Sequence, residues 1–193
     1  MNFQNHTKEH QQETQKVGKK SSLLSAVLGI VYEVSVIVLI CMVAYIAVFG
    51  VCRLHDESMS PSVKDGDLVA FYRLDKEYAV QDAIVIRQDG ELVVRRVVAV
   101  AGDTVDFKDG RLVLNGIPQA ESYAFGSTEQ FTTGVTFPLT VPKDEVFLLG
   151  DAREQAKDSR LYGCVPIKDT YGTVVMVFRR RNLIHSTNFH TKS

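Results

Sequence analysis

The stretch Leu92–Asp103 reads LVVRRVVAVAGD, and it decides the fold class of the chain. It is rich in β-branched valine and ends at a Gly-Asp turn signal, which is typical of a β-strand followed by a tight turn. Shorter apolar runs surround it at close spacing, namely Leu68–Tyr72, Ala83–Ile86, Glu145–Leu149 and Thr173–Phe178. Since no convincing helical pattern follows residue 54, we predict a mainly β fold with one compact all-β domain.

Two segments of this domain have more specific patterns. Thr104–Phe107 and Arg111–Leu114 flank Lys108-Asp109-Gly110, which predicts a hairpin with an Asp-Gly turn. Residues 118–140 mix Ser, Thr, Gly and Phe without a clear period. For that segment we expect a variable loop or an extra hairpin.

Upstream of the β pattern lies an apolar run, residues 34–51, in which Ser35 is the conventionally polar residue. As a helix this run would be roughly 27 Å long, close to the hydrocarbon thickness of a bilayer. We predict a transmembrane anchor over residues 23–52 and an extracytoplasmic β domain over residues 53–180. A cleaved signal peptide fits less well, because the run is long and no small-x-small site closes it.

The charges around the anchor predict its orientation. The segment before it carries four lysines, whereas Arg53 and then two carboxylates follow it: Lys8, Lys16, Lys19, Lys20, Asp56 and Glu57. The positive-inside rule therefore places residues 1–22, a polar tail, in the cytoplasm and the β domain outside. Residues 181–193 form a basic and polar tail. A membrane protein with one span and a cytoplasmic N-terminus is expected.

Composition excludes several classes of function. The 193 residues carry a formal net charge of −1, and no basic stripe stands out, so we expect no nucleic-acid partner. The three cysteines, Cys41, Cys52 and Cys164, match neither a disulfide framework nor a zinc site. We expect no metal and no cofactor.

Four sequence blocks, taken in order, resemble the type I signal peptidases, membrane-anchored serine proteases that remove signal peptides. The blocks are Ser58–Ser62 (SMSPS), Gly66–Val69 (GDLV), Arg95–Asp103 (RRVVAVAGD), and Gly150–Arg160 (GDAREQAKDSR) followed by Gly163–Pro166 (GCVP). The resemblance covers about residues 30–178. It implies a β-rich catalytic fold, in agreement with the strand pattern.

The resemblance also implies residue roles. Ser58 occupies the position of the nucleophile, and Arg95 occupies the position of the lysine that serves as general base in the family. Because the arginine pKa stays above about 12, arginine does not accept the serine proton. We therefore expect a cation beside Ser58 that could hydrogen-bond its hydroxyl without deprotonating it.

Other positions of the implied site also differ from the family in ways that disfavour catalysis. Asp56 replaces a small residue that, with Ser58, shapes the oxyanion hole, and its carboxylate would repel a developing oxyanion. Ala156 replaces the serine that orients the lysine, and Ala152 replaces an asparagine. The structural residues of the last block are kept: Asp151, Asp158 and Arg160.

No other residue is an evident base. His55 lies three residues before Ser58, and in an extended strand such residues point to opposite faces. Lys64 and Lys157 are expected to be solvated.

The sequence thus predicts a type I signal peptidase-like membrane serine endopeptidase that removes signal peptides from exported proteins, although Arg95 at the base position argues against efficient catalysis. The alternative is a catalytically impaired binding or assembly factor, as in pilus biogenesis. It would hold signal-peptide-like or pilin-like segments in the same groove by strand addition. A weaker third hypothesis is a regulatory membrane protease related by fold. All three hypotheses include the lipid bilayer as a partner.

Overall fold

The structure is a computed structural model, and it describes residues 27–179. The predicted tails, 1–22 and 181–193, and the first residues of the predicted anchor lie outside the described residues. The chain divides into two compact units with a boundary between Ala47 and Val48.

Helix α1, Val27–Val48, lies in the first unit except for its last residue, and its 22 residues are long and apolar enough to cross a membrane. The Ser35 hydroxyl donates to the carbonyl oxygen of Tyr32 at 2.7 Å, so its polar group is satisfied within the helix. The helix ends before residue 52, where we predicted the end of the anchor. Phe49–Cys52 belong instead to a strand, because they pair in register with Val69–Tyr72 and so gain a ladder of backbone hydrogen bonds.

The second unit is mainly β, which confirms the predicted fold class. Strands β1–β6 are Phe49–Arg53, Leu68–Tyr72, Ala83–Gln88, Glu91–Val100, Thr104–Lys108 and Arg111–Leu114. Strands β7–β11 are Ile117–Pro118, Leu139–Thr140, Glu145–Leu149, Val165–Pro166 and Thr170–Phe178. A short helix, α2, covers Ser159–Tyr162, and a 3-10 turn covers Ile167–Asp169.

The strands form two antiparallel sheets. The larger has seven strands in the order β1-β2-β11-β3-β4-β9-β10, and the smaller has four in the order β7-β6-β5-β8. The predicted hairpin is strand pair β5–β6. Its turn residues Asp109 and Gly110 have φ angles of 51° and 70°. Positive φ at both central positions is what a two-residue turn of type I′ requires.

Strand β4 contributes to all three apolar clusters of the core. Val94 packs in the first, Val97 in the second, and Val98 in the third. The strand pairs with β3 over Glu91–Arg96, but with β9 only from Arg96 to Val100. The first half of β4 therefore has no partner in β9, and this open edge lies where the candidate site is built.

The segment 118–140 is a loop rather than an extra hairpin, apart from the ends that it shares with β7 and β8. Long-range side-chain contacts fix it. Arg153, which is fully buried, donates to Glu121 at 2.6 Å and to the Thr128 hydroxyl at 2.8 Å. Phe125 pairs with Ala152 in an isolated parallel bridge. The loop is thus fastened to the chain that follows β9.

Candidate functional site

Ser58 lies in the loop between β1 and β2, and apolar side chains anchor that loop on both sides of it. Leu54, Met59 and Val63 are buried in the first core cluster. The backbone turns tightly, with Ser60 N donating to Glu57 O at 2.9 Å. Ser58 itself is 5% exposed. A buried hydroxyl in so tightly held a loop has a fixed position.

The segment after β9 packs directly against Ser58. Ala152 N donates to Ser58 O at 2.9 Å. A side chain at Gly150 would place its Cβ only 2.7 Å from Ser58 O and 2.3 Å from the Cβ of Ala156. Glycine is therefore required for this close approach. The first and last sequence blocks meet here.

Asp56 accepts hydrogen bonds from both donors of Ser58. The Ser58 hydroxyl donates to Asp56 Oδ1 at 2.6 Å, and Ser58 N donates to the same oxygen at 3.0 Å. The other oxygen, Oδ2, accepts from Arg95 Nη1 in an ion pair. We expected the Arg95 cation to contact the serine hydroxyl, but in the structure the Asp56 carboxylate stands between them.

Arg95 extends from β4 and is 2% exposed. Its guanidinium has five N–H groups, and each has an acceptor. Nη1 donates to Asp56 and to Val94 O at 2.7 Å. Nη2 donates to Gln88 Oε1 at 3.0 Å and to Lys157 O at 3.1 Å, and Nε donates to Lys157 O at 3.2 Å. All the hydrogen-bond donors of the guanidinium are therefore paired within this chain.

The electrostatics of Asp56 make it a weak base. Burial by itself would raise the pKa of Asp56, but the charge of Arg95 and the hydrogen bonds from Ser58 and Arg95 outweigh burial. The pKa therefore lies below its ordinary value of 3.8. A carboxylate with a lowered pKa accepts the hydroxyl hydrogen bond but has little tendency to take the proton.

The lowered pKa of Asp56 predicts a specific loss of stability in acid. Its contribution to the free energy of unfolding is fully present above the unfolded-chain value, near 3.8, and is lost as pH falls through the lower folded value. The measurement is the free energy of unfolding of the full chain in detergent micelles across this range, for wild type and Asp56→Asn. We expect the difference between the two proteins to be constant near neutral pH and to shrink below pH 3.8.

Asp65→Asn is the matched control, because Asp65 is an exposed carboxylate in the same loop. Asp65→Asn should change the free energy of unfolding by much less than Asp56→Asn does. A difference between wild type and Asp56→Asn that stays flat or grows in acid would contradict the prediction.

The Ser58–Asp56–Arg95 group lines a cavity of about 410 Å³. His55 lines the same cavity as Ser58. Our prediction for His55 assumed an extended strand, but β1 ends at Arg53 and residues 54–57 lead into turns. The exposed side chain of Lys157 also borders the cavity, while its carbonyl group binds Arg95.

The residues of the predicted structural box lie behind this cavity. Asp151 is fully buried and accepts from Arg96 Nε at 2.7 Å and Nη2 at 2.6 Å. Arg160 binds both oxygens of the fully buried Asp158, each at 2.9 Å. Asp158 Oδ2 also accepts from Gly150 N at 3.1 Å. Asp158 thus connects the start of α2 to Gly150, and Arg96 connects β4 to Asp151, in the chain segment that contacts Ser58.

Sequence reasoning missed two neighbours of Arg95. Gln88 accepts from the guanidinium. The Asp89-Gly90 turn signal that follows it could have predicted that β4 folds back beside β3, which places Gln88 near Arg95. Tyr162 follows the last block, and no motif distinguishes it. Burial raises the pKa of Tyr162 to about 12, and the charges of Arg95, Asp158 and Asp56 also act on it. Its phenol is therefore neutral at neutral pH and within electrostatic reach of the ion pair.

Comparison with known proteins gives consistent similarities. Residues 27–179 match the family model described as signal peptidase, peptidase S26. Signal peptidase I of Bacillus licheniformis is 29% identical over 188 residues, covering 91% of this chain and 99% of the relative. Signal peptidase I of Bacillus amyloliquefaciens is 30% identical over 186 residues, covering 91% and 98%. A crystal structure of a signal peptidase I from Enterococcus faecalis aligns with a TM-score of 0.45 at 29% identity, over 51% of this chain and 97% of that chain.

Proposed function

The chain belongs to the signal peptidase family S26, and we propose that it recognises signal peptides of exported preproteins at the Ser58 site and cleaves them slowly. The family match over residues 27–179 supports the substrate class. The geometry around Ser58 supports the low rate. The rate depends on which group could take the proton of the Ser58 hydroxyl.

One observation carries this proposal: the Ser58 hydroxyl donates to the Asp56 carboxylate, which is itself ion-paired with Arg95. Every N–H group of that guanidinium already has an acceptor. In the proposed reaction Ser58 Oγ attacks the scissile carbonyl carbon, and the hydroxyl proton passes to a base before the leaving amine departs. Arg95 is no such base because it stays protonated. Asp56 is a weak base because of its lowered pKa. A missing general base typically costs about 10²–10⁴ in rate.

The proposed oxyanion region gives a second reason for a low rate. In acyl transfer the N–H of the nucleophilic residue is a common oxyanion donor. Here Ser58 N already donates to Asp56 Oδ1 at 3.0 Å. The substrate oxyanion would have to displace a carboxylate and would also be repelled by its charge. Asp56 therefore opposes catalysis through the hydroxyl and through the backbone N–H.

A second candidate function is binding without cleavage, in which the groove holds signal-peptide-like or pilin-like segments during assembly. The hydrogen bonding of Arg95 favours this function. All five of its N–H groups have acceptors within the chain, so the guanidinium supports the cavity wall without taking part in chemistry. The exposed cavity beside Ser58 would still admit an extended peptide. The two candidates differ only in whether any cleavage depends on Ser58.

We further propose that α1 is a single membrane anchor with a cytoplasmic N-terminus and an extracytoplasmic β domain. The length and apolar surface of Val27–Val48 support the span. The lysines that precede it in the sequence support the orientation. The Ser58 site would then lie on the side of the membrane to which preproteins are exported.

The test uses the full chain in detergent micelles with a fluorogenic signal-peptide substrate that carries an Ala-x-Ala site. Wild type, Ser58→Ala and the control Ser60→Ala are compared for substrate binding and for cleavage. We expect all three to bind the peptide. Wild type and Ser60→Ala should cleave it slowly, and Ser58→Ala should not cleave it above background.

The other outcomes separate the alternatives. Binding by all three proteins with no cleavage by any of them would favour the assembly-factor function over the slow peptidase. Cleavage that persists in Ser58→Ala would show that Ser58 is not the nucleophile. If the folded wild type does not bind the peptide at all, the slow-peptidase function fails, and so does a binding function directed at signal-peptide-like segments.

A further inference from the structure

The carboxylate of Asp56 is held as a bound anion would be held, by a backbone N–H, a hydroxyl and a guanidinium. We propose that Asp56 acts as a built-in ligand, filling a carboxylate-binding subsite that Ser58 and Arg95 form and that would otherwise accept the terminal carboxylate of a peptide. This inference goes beyond the proposed function, because it concerns anion binding and requires neither cleavage nor signal-peptide recognition.

The donors of this subsite come from two separate parts of the chain. Ser58 supplies its N–H at 3.0 Å and its hydroxyl at 2.6 Å to Asp56 Oδ1. Arg95, which is 39 residues from Asp56 in sequence, supplies Nη1 to Oδ2. An aspartate often accepts from the N–H two residues ahead in a local turn. Such a turn requires neither the Ser58 hydroxyl nor the guanidinium of Arg95. These two additional donors make the site more than a local turn, because they give each carboxylate oxygen a side-chain partner.

The remaining hydrogen bonds of Arg95 would keep the subsite formed without Asp56. Four of its N–H groups donate to Val94 O, Gln88 Oε1 and Lys157 O, which belong to β4, β3 and the last sequence block. The Arg95 side chain is 3% exposed, so the position of the guanidinium is fixed by packing as well as by these acceptors. A preorganised cation binds an anion without an ordering cost.

The subsite also has room and an entrance. The side chain of Asp56 is 21% exposed, and it lines the cavity of about 410 Å³. Removing its carboxylate would open a space of the same size and shape as a formate ion, next to that cavity. In the wild type the space is filled and negatively charged, so a peptide with a free terminal carboxylate is excluded from contact with Arg95.

The experiment is chemical rescue of Asp56→Ala, made in the full chain and studied in detergent micelles. The Tm is measured with sodium formate against sodium chloride at equal ionic strength. We expect formate to raise the Tm of Asp56→Ala in a saturable way, by about 3–6 °C at about ten times its Kd. Wild type and Asp56→Asn should respond equally to formate and chloride, because a side chain already fills the space.

A second arm and a second variant make the result specific. Acetyl-trialanine with a free carboxylate should stabilise Asp56→Ala, and the same peptide as its amide should not. The Asp56→Ala/Arg95→Met double variant should lose both effects. If Asp56→Ala folds only in formate, the yield of refolded protein in formate against chloride replaces the Tm.

Equal responses of Asp56→Ala to formate and chloride would overturn the proposal. So would a formate effect of the same size in the Asp56→Ala/Arg95→Met double variant. Since neither readout uses a signal peptide, failure here is distinguishable from failure of the proposed function.

Discussion

Replacing Arg95 by lysine and Asp56 by serine together is expected to raise Ser58-dependent cleavage of a signal-peptide substrate by about 10²–10⁴-fold over wild type, the range that a general base typically contributes. Arg95 is 2% exposed, and a lysine at such a buried position has a lowered pKa because desolvation disfavours its charged form. The neutral amine can then accept the hydroxyl proton of Ser58. The measurement is kcat/KM for the full chain in micelles.

Both changes are needed for the gain. With Asp56 in place, its carboxylate would pair with the new lysine and favour the protonated amine. Arg95→Lys alone should therefore recover only a small part of the rate. Asp56→Ser alone leaves an arginine that cannot act as a base. The rate of the double variant should exceed the product of the two single effects, as expected for residues in direct contact.

Adding Ser58→Ala to the double variant is the control and should abolish the gain. The prediction fails if the folded double variant cleaves no faster than wild type. It also fails if Arg95→Lys alone reaches the rate of the double variant, because Asp56 would then have no effect on the lysine.

Removing the side chain of Arg160 is expected to lower the free energy of unfolding of the β domain by about 3–5 kcal/mol, the usual cost of breaking a buried ion pair from one side. Arg160→Ala leaves the carboxylate of Asp158 fully buried without a cation. It also removes the bonds from Arg160 to Glu129 O and Arg153 O, which hold the 118–140 loop and the last block together. Because domains of ordinary size are stable by about 5–15 kcal/mol, this loss is a large fraction of the total.

Lys108→Ala is the matched control, since it breaks an ion pair at the surface. Lys108 lies 3.0 Å from Asp106, but its side chain is 68% exposed. Exposed pairs contribute about 0–1 kcal/mol. Calorimetry of both variants in the full chain gives the comparison. Similar costs for Arg160→Ala and Lys108→Ala would show that burial of the Asp158 pair does not determine its contribution.

The parts of the fold that depend on local patterns could be predicted from the sequence. The valine-rich run became β4, and Asp109-Gly110 formed the expected turn because their backbone conformation is a property of the residues themselves. The end of the helix could not be predicted from hydrophobicity. Phe49–Cys52 are as apolar as the helix before them, and it is pairing with β2 that makes them a strand. Similarly, the 118–140 loop depends on Arg153, whose contacts lie far away in sequence.

The sequence predicted which residues belong to the candidate site, but not which of them contact each other. The family resemblance identified the positions of Asp56, Ser58 and Arg95, and the structure brings all three to one cavity. The order of their contacts depends on three-dimensional distance, and Asp56 and Arg95 are 39 residues apart in the chain. The same limit applies to His55, because β1 ends at Arg53 and residues 58–62 lie in turns that no periodic pattern describes.

The bond from Arg95 to the carbonyl oxygen of Val94 has a consequence for solubility. The first half of β4 has no β9 partner, so its backbone groups could pair with a strand of another molecule. The guanidinium donates to the carbonyl oxygen of Val94, so this acceptor of the edge is already bonded within the chain. We therefore expect variants that lack Arg95 to expose the acceptor and to self-associate more readily than wild type.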